Sequence, residues 1–348
     1  MAKRIVGLDF GRDSVRAVEV ENPESSRPTI VRAAEIGLPL GAVQSGEVRE
    51  VHTVAAALKQ FWSSSGFSTK NVVIGVGSQR VFVREFQVPA MSIPRIRESL
   101  AFQVEDMLPV PANDAILDFY PIAEVQGENG PVIDGLVIAA IKETVLTNIS
   151  AVKRAGLKAV DVDLVPFALA RAAASSVDGS GTVSHVHIGA TTTNILIAVK
   201  GVPRLVRTIG AAGDDITRAL AARFDVSNEV AEKMKRTRGF SSTPVTNESE
   251  HLAAEIINNI AGEQLSTIIN TLQYFANARR RAAIDTVVLS GGGASLPGFA
   301  EALGNASRLP VVAARPFEGV AVIKSKTTPT TLTPSLMTAY GLALGIAA

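Results

Sequence analysis

The strongest constraint on this chain's fold is a strand–turn–strand unit that occurs twice, half a chain apart. In the first copy Ile5, Val6 and Leu8 lead into Asp9-Phe10-Gly11-Arg12-Asp13-Ser14, and Val15, Ala17, Val18 and Val20 follow with Arg16 and Glu19 between them. Such alternation on both sides of a glycine-containing polar turn is the pattern of a hairpin. In the second copy Val186-His187-Ile188-Gly189-Ala190-Thr191-Thr192-Thr193 runs into Asn194-Ile195-Leu196-Ile197-Ala198-Val199. Asp9-Phe10-Gly11 lies opposite His187-Ile188-Gly189 at an offset of 178 residues, which predicts two similar halves facing each other.

Composition bounds what those halves can be. Of 348 residues, 47% are hydrophobic and 19% charged, enough apolar material for large cores and too much for a disordered chain. The balance of 34 basic against 33 acidic residues, net +1, asks for neither nucleic acid nor an anionic membrane as a partner. With no cysteine, disulfides, thiolate zinc sites and thiol catalysis are excluded. The four histidines, His52, His185, His187 and His251, are too scattered for a metal cluster. No window approaches 18 uncharged apolar residues, and the N-terminus runs directly into a strand pattern. A cytoplasmic protein without direct membrane insertion is expected.

Between the two hairpins the pattern changes. A third strand is expected at Thr29–Ile36, a helix at Val54–Ser64 and a buried strand at Asn71–Gly77. From about Arg80 to Lys153 the order strand, helix, two strands, helix, strand reads as a separate α+β block. Pro94 opens its first helix, Ile96, Leu100, Val104 and Leu108 form one apolar face, and Pro109 and Pro111 end it. Strands follow at Ala115–Val125 and Leu136–Ile141, then a helix at Thr144–Ala155 that stops at Gly156. After the second hairpin, helices are expected at Gly210–Arg223, Val226–Arg236 and Glu248–Ala282. A strand enters a glycine triplet at Val287–Gly293, with helices at Gly298–Leu303 and Ser335–Leu344.

Three turns carry the chemistry: Asp9–Ser14, Gly189–Thr193 and Gly291–Ser295. Glycine lets backbone approach an anion, and successive N–H groups with hydroxyls form a phosphate cradle. A carboxylate such as Asp9 at a strand end would reach Mg²⁺ through water. The Walker A spacing is absent, and no Gly-x-Gly-x-x-Gly follows the first strand.

The pattern resembles the actin-like ATPase superfamily. That resemblance implies an α/β, ribonuclease H-like fold of two lobes with duplicated sheet–helix subdomains. It carries Asp9, Gly11, Ser14 and Val15 to a first phosphate loop, and Gly189, Thr191, Thr192 and Thr193 to a second. Gly291, Gly292 and Gly293 fall to an adenosine loop, and Gly213 and Asp214 are also implied to bind nucleotide. Ala231-Glu232-Lys233-Met234-Lys235 is similar to the superfamily's Ala-Glu-x-x-Lys segment, implying that Glu232 and Lys235 flank adenosine. ATP or ADP with Mg²⁺ is the implied cofactor, Asp9 holding the metal through water.

Gly210-Ala-Ala-Gly-Asp-Asp-Ile-Thr217, Phe102-x-x-Glu105-x-x-Leu108-Pro109 and Val165-Pro-Phe-Ala-Leu-Ala-Arg171 resemble the PilM family of type IV pilus assembly proteins, in the branch shared with FtsA. The expected division is 1–79 with 157–185 as one lobe core, and 80–156 as an inserted subdomain of the 1C type. Residues 186–212 with 283–348 form the second core, and 213–282 its helical subdomain. The resemblance implies a cytoplasmic scaffold at the inner face of the membrane. It would dock the N-terminal tail of an inner-membrane PilN-like protein, and other motor or platform components are further partners. The helix Pro94–Leu108, with Phe102 and Met107, is a candidate wall for that tail. The second loop departs from the superfamily's Asp-x-Gly, since His187 stands where the carboxylate is expected. A neutral imidazole supplies no charge for Mg²⁺, so no catalytic residue is assigned and hydrolysis is expected to be weak or absent. The alternatives are an active ATPase, a sugar-kinase-like phosphotransferase, or a filament-forming protein.

Overall fold

The structure, a computed structural model, describes residues 3–128, 130–240, 247–278, 283–323 and 332–345. The first hairpin pairs β1 (Arg4–Phe10) with β2 (Ser14–Glu21), Asp9 opposite Arg16 and Phe10 opposite Val15. β3 (Thr29–Gly37) continues antiparallel. A short hairpin, β4 (Val43–Gln44) and β5 (Glu47–Val48), leads into α1 (Val51–Ser65), and β6 (Asn71–Val76) returns parallel to β1. On the far side of α1, Phe61, Trp62 and Phe67 stack edge to face, which makes Trp62 a packing residue.

The inserted block then forms its own sheet from β7 (Val81–Pro89), β8 (Ala115–Gly127) and β9 (Gly130–Ile141), with β9 in the centre. α2 (Ile93–Val104) closes it by burying Ile96, Leu100 and Val104 against Val88, Phe119 and Val137. Two expectations shift here. The α-helix ends at Val104 and a single 3₁₀ turn, Glu105–Met107, carries the chain to Pro109. β9 begins at Gly130, six residues early, because the long β8 hydrogen-bonds it along its whole length despite Pro131 and Gly135. α3 (Lys142–Arg154) packs back on α1, and Asn148 pins it to the short hairpin by accepting from Val48 N at 2.9 Å and donating to Gly46 O at 2.9 Å. β10 (Lys158–Leu164) and α4 (Val165–Ala172) complete the first half.

The second half repeats this scheme. β11 (Thr182–Ile188), β12 (Thr193–Val199) and β13 (Val202–Ile209) are antiparallel, with His187 opposite Asn194 and Ile188 opposite Thr193. β11 starts at Thr182, not 186, since Thr182 and Ser184 are buried and already paired with β12, so an inter-lobe boundary at 185/186 would cut a strand. α5 (Gly213–Phe224), α6 (Asn228–Arg238) and the long α7 (Glu248–Ala278) follow, then β14 (Thr286–Ser290), α8 (Phe299–Ser307) and β15 (Val311–Ala313). α5 starts at Gly213 because the Asp215 carboxylate accepts the Ala212 N–H at 2.8 Å and caps the helix there. Among the described residues one sheet runs β10-β6-β1-β2-β3 and the other β15-β14-β11-β12-β13, the same order with the same strand directions.

The chain then returns to the first half. β16 (Ala321–Val322) pairs parallel with β3, and α9 (Met337–Ala343) lies against β1 and α4, so the segment after 314 is not confined to the second lobe. Gly341 permits the contact: a Cβ there would meet Ala168 O at 1.9 Å. The core around α4 and α9 draws on both halves, joining Val18, Val20 and Ile30 of one sheet to Val183 and Val288 of the other. The arginines at 279–281 and most of the 327–334 loop lie outside the described residues.

Candidate functional site

The two hairpin turns have the same hydrogen bond. Gly11 N donates to Ser14 O at 2.9 Å, and Gly189 N donates to Thr192 O at 2.9 Å, again 178 residues on. Gly11 is tightly fitted, for a Cβ would sit 2.9 Å from both Ser14 O and Arg16 Nη1. Ser14 Oγ is buried with no hydrogen-bond partner, an orphaned hydroxyl beside the turn.

Three backbone segments converge on the second turn. Gly213 N donates to Gly189 O at 3.1 Å and Asp214 N to Ala190 O at 2.9 Å. A Cβ on Gly213 would lie 3.0 Å from Gly293 Cα, and one on Gly293 would lie 2.5 Å from Ile188 Cγ2. The glycines of the second turn, of the α5 entry and of the triplet therefore touch through bare backbone. Such a close approach of three backbone segments requires glycine at each of them.

Of the three threonines, Thr191 and Thr192 are half-buried at the turn. Thr193 is fully buried and turned into its own lobe, its hydroxyl donating to Ala211 O at 2.7 Å with Gln264 beside it. Val15 is likewise core.

Glu232 and Lys235 form an internal clasp. Lys235 Nζ donates to Gly213 O at 3.0 Å and Thr217 Oγ1 at 2.9 Å, while Thr217 Oγ1 donates to Glu232 Oε2 at 2.7 Å. Burial opposes the Glu232 charge, but hydrogen bonds from Lys235 and Thr217 and the Lys235 charge pull its carboxyl down to about 2. Both residues thus stand directly behind the α5 entry.

The floor of the cleft is set by the paired positions Asp9 and His187. Burial pushes the Asp9 carboxyl up to about 6, against the pull of Arg16, whose Nη1 lies 3.8 Å away; Glu35 adds to the rise. Arg16 is itself held by Glu35 at 3.0 Å. Burial, reinforced by Arg16, depresses His187 to about 4, so its ring is neutral at pH 7, 3.0 Å from Ser290 Oγ. His185 is depressed to about 4 by burial alone, and its Nδ1 is buried without a partner. Among the described residues no three His, Asp or Glu side chains cluster as metal ligands. Asp9 is the shielded carboxylate of the first turn, Asp13 standing half exposed beside it, and a single shielded carboxylate suits a cation held mainly by phosphate and water.

Sequence reasoning missed Arg12, Arg16, Thr217 and Ser290. Arg16 was within reach, since it is the residue opposite Asp9 in the hairpin register. Arg12 lies inside the first turn itself, with its guanidinium donating to the Asp214 carboxylate across the cleft. Ser290 and Thr217 acquire their roles only through tertiary contacts.

Two lobes with one strand order, a hairpin turn from each facing a shared cleft, and an inserted α+β block define an actin-like protein. The family model described as type IV pilus assembly protein PilM matches residues 7–346, and the chain belongs to that family. A PilM–PilN type IV pilus biogenesis complex is similar over 99% of this chain and 98% of that one, with 26% identity and a TM-score of 0.81. The cell division protein FtsA of Bacillus subtilis (strain 168) is 24% identical over 332 residues, covering 84% of this chain and 74% of FtsA. MreB 5 of Spiroplasma citri, solved bound to AMPPNP, shares the fold at 15% identity and a TM-score of 0.51, over 90% of this chain and 91% of that one. No described helix is long and apolar enough to cross a membrane.

Proposed function

We propose that this chain is a nucleotide-binding scaffold of the type IV pilus assembly machine, working at the inner face of the cytoplasmic membrane and docking the N-terminal tail of a PilN-like inner-membrane protein. The observation that carries the nucleotide half is the pair of equivalent turns, Gly11–Ser14 and Gly189–Thr192, meeting Gly213 and Gly293 through bare backbone. Gly11, Ser14, Gly189, Thr191 and Thr192 would receive the phosphates of ATP or ADP. Gly291, Gly292, Gly293, Gly213, Glu232 and Lys235 would line the adenosine side. Asp9 would hold Mg²⁺ through water, and the bound metal would neutralise phosphate charge.

The second turn offers no carboxylate at the position that Asp9 holds in the first. His187 is neutral, engaged with Ser290, and has no second carboxylate beside it. The nucleotide therefore serves as a conformational ligand between lobes that share a core on α4 and α9. For the tail, two surfaces on the inserted block are available. Phe102 stands 87% exposed on the outer face of α2. A groove of about 770 Å³ runs between Val51 at the start of α1 and Lys142, Glu143 and the exposed Leu146 of α3. The groove suits an extended segment with apolar and charged side chains.

Calorimetric titration with Mg·ATP, alongside a phosphate-release assay, tests the nucleotide half. Saturable binding with no release above background is expected. Mg-dependent release that disappears in Asp9→Ala would instead make the protein an ATPase. For docking, a synthetic PilN-type N-terminal peptide is expected to bind the parent chain and to lose affinity in Leu146→Glu or Phe102→Ala, whichever surface it uses.

A further inference from the structure

The crests of the two hairpins meet at one residue. Asp214 donates its backbone N–H to Ala190 O, at the crest of the second turn, at 2.9 Å. Its carboxylate accepts from the guanidinium of Arg12, which occupies the same place in the first turn 178 residues earlier. The pair spans the cleft mouth and is well shielded, with side-chain exposures of 23% for Arg12 and 11% for Asp214.

Each partner keeps a second, looser ion-pair neighbour at 3.5 Å. Asp214 has a second cation, Arg218, whose Nε lies 3.5 Å from the other carboxylate oxygen. Asp214 would not be left as an unpaired buried charge if Arg12 moved away. Arg12 keeps one further ion-pair neighbour, Asp13 at 3.5 Å with its side chain 53% exposed; Glu232 acts on it only through space, and its Nε is buried without a hydrogen-bond partner. Two residues further on, the Ser14 hydroxyl is also buried and unpartnered. By contrast, Arg16 is fixed by Glu35 at 3.0 Å and faces Asp9. Arg16 also has a buried Nε without a partner, but only Arg12 of these two reaches across to the other lobe, to a carboxylate that keeps a second cation. A phosphate carries more charge than a carboxylate and matches the guanidinium fork with two oxygens.

We propose that Arg12 is a phosphate-recognising residue held in reserve by Asp214. A phosphate-bearing ligand in the cleft takes the guanidinium from Asp214, which stays paired with Arg218, and the exchange releases the contact between the two hairpin crests. The proposal rests on the reading of the cleft as a nucleotide site and deepens it: recognition is directed at the phosphates and coupled to the opening of the lobes.

The test compares ADP and adenosine binding by calorimetry in the parent protein, Arg12→Ala, Arg12→Lys and Asp214→Asn. Thermal unfolding shows that each variant is folded, and small-angle scattering without nucleotide reads the lobe separation. Arg12→Ala is expected to weaken ADP binding about tenfold, the scale of one charge-assisted bidentate contact. Arg12→Lys is expected to recover part of that loss. Asp214→Asn, which weakens the competing partner, is expected to tighten ADP binding several-fold, roughly the cost of releasing one partly shielded ion pair. Adenosine affinity should follow none of these changes. Arg12→Ala and Asp214→Asn should both enlarge the molecule in scattering.

Equal ADP affinity in all variants, or a shift of the same sign in Arg12→Ala and Asp214→Asn, overturns the exchange while leaving the nucleotide site intact. Failure of the parent protein itself to bind ADP overturns both.

Discussion

At the scale of single residues, Asp9 and the two histidines of β11 pull the acid response in opposite directions. The Asp9 carboxyl titrates near 6 in the folded chain, against 3.8 for a free aspartate, so its ionisation opposes folding. That penalty is fully present above pH 6 and fades as the pH falls from about 6 to 4. His185 and His187 are depressed from 6.5 to about 4, so each stabilises the neutral folded form above pH 6.5 and withdraws that support as the pH falls to 4. Each shift corresponds to roughly 3 kcal/mol, and two histidines outweigh one aspartate. Urea midpoints should therefore drop between pH 6.5 and pH 4, with a shallower slope in His187→Asn. At pH 7.5, Asp9→Asn should raise stability by on the order of 3 kcal/mol. The same variant should weaken Mg·nucleotide binding, the trade expected where a site stores electrostatic strain. A midpoint that rises on acidification of the parent protein would contradict this assignment.

At the scale of elements, the clasp formed by Lys235 decides how firmly the α5 entry is held. Lys235 is 8% exposed and joins α6 to Gly213 O and Thr217 of α5 while neutralising Glu232. Lys235→Met keeps the aliphatic volume but leaves the Gly213 carbonyl short of a donor and the Glu232 carboxylate with Arg236 as its one remaining nearby cation beside the Thr217 hydroxyl. The expected loss is about 2–4 kcal/mol in urea unfolding. A loss below about 0.5 kcal/mol would mean that the helices are held by apolar packing of Ile216, Leu220 and Ala231 instead.

What could be read from the sequence follows the range of each interaction. The hairpins were legible because apolar alternation and a glycine turn are local, and because the 178-residue offset holds residue for residue down to the paired strands. Gly291–Gly293 was legible for the same reason. Arg12 meeting Asp214 was not, since the two lie 202 residues apart and neither neighbourhood mentions the other. Lys235 sits among Lys233, Arg236 and Arg238, a pattern shared with any solvated helix face. The return of the chain to the first lobe was not legible, because the two-residue β16 is too short to have a period and nothing local says which sheet α9 packs on.

At the scale of the whole molecule, the inserted block is positioned to sense the cleft. It has its own small core, yet its root touches the second lobe: a Cβ on Gly210, at the end of β13, would lie 2.1 Å from Gln79 Nε2. Gly210 in turn precedes the Ala211–Asp214 entry to α5, whose backbone meets the second turn. On the proposed function, a tail docked on the inserted block and a nucleotide docked between the lobes would bias one shared arrangement of Gln79 against Gly210. By linkage, if nucleotide changes the tail affinity by some factor, the tail must change the nucleotide affinity by the same factor. Calorimetry of each ligand in the absence and saturating presence of the other should return equal factors, of about fivefold or more for a coupling of roughly 1 kcal/mol. Gln79→Ala removes the side chain that bridges the two bodies without touching the groove or the glycine cradle. In that variant each ligand alone should bind within about twofold of the parent affinity, an energy below roughly 0.5 kcal/mol, while the coupling factor falls toward one. Full coupling in Gln79→Ala would move the connection to the direct contact of β7 with β13, or to the core shared on α4 and α9, where the two sheets meet through Leu169, Met337 and Tyr340.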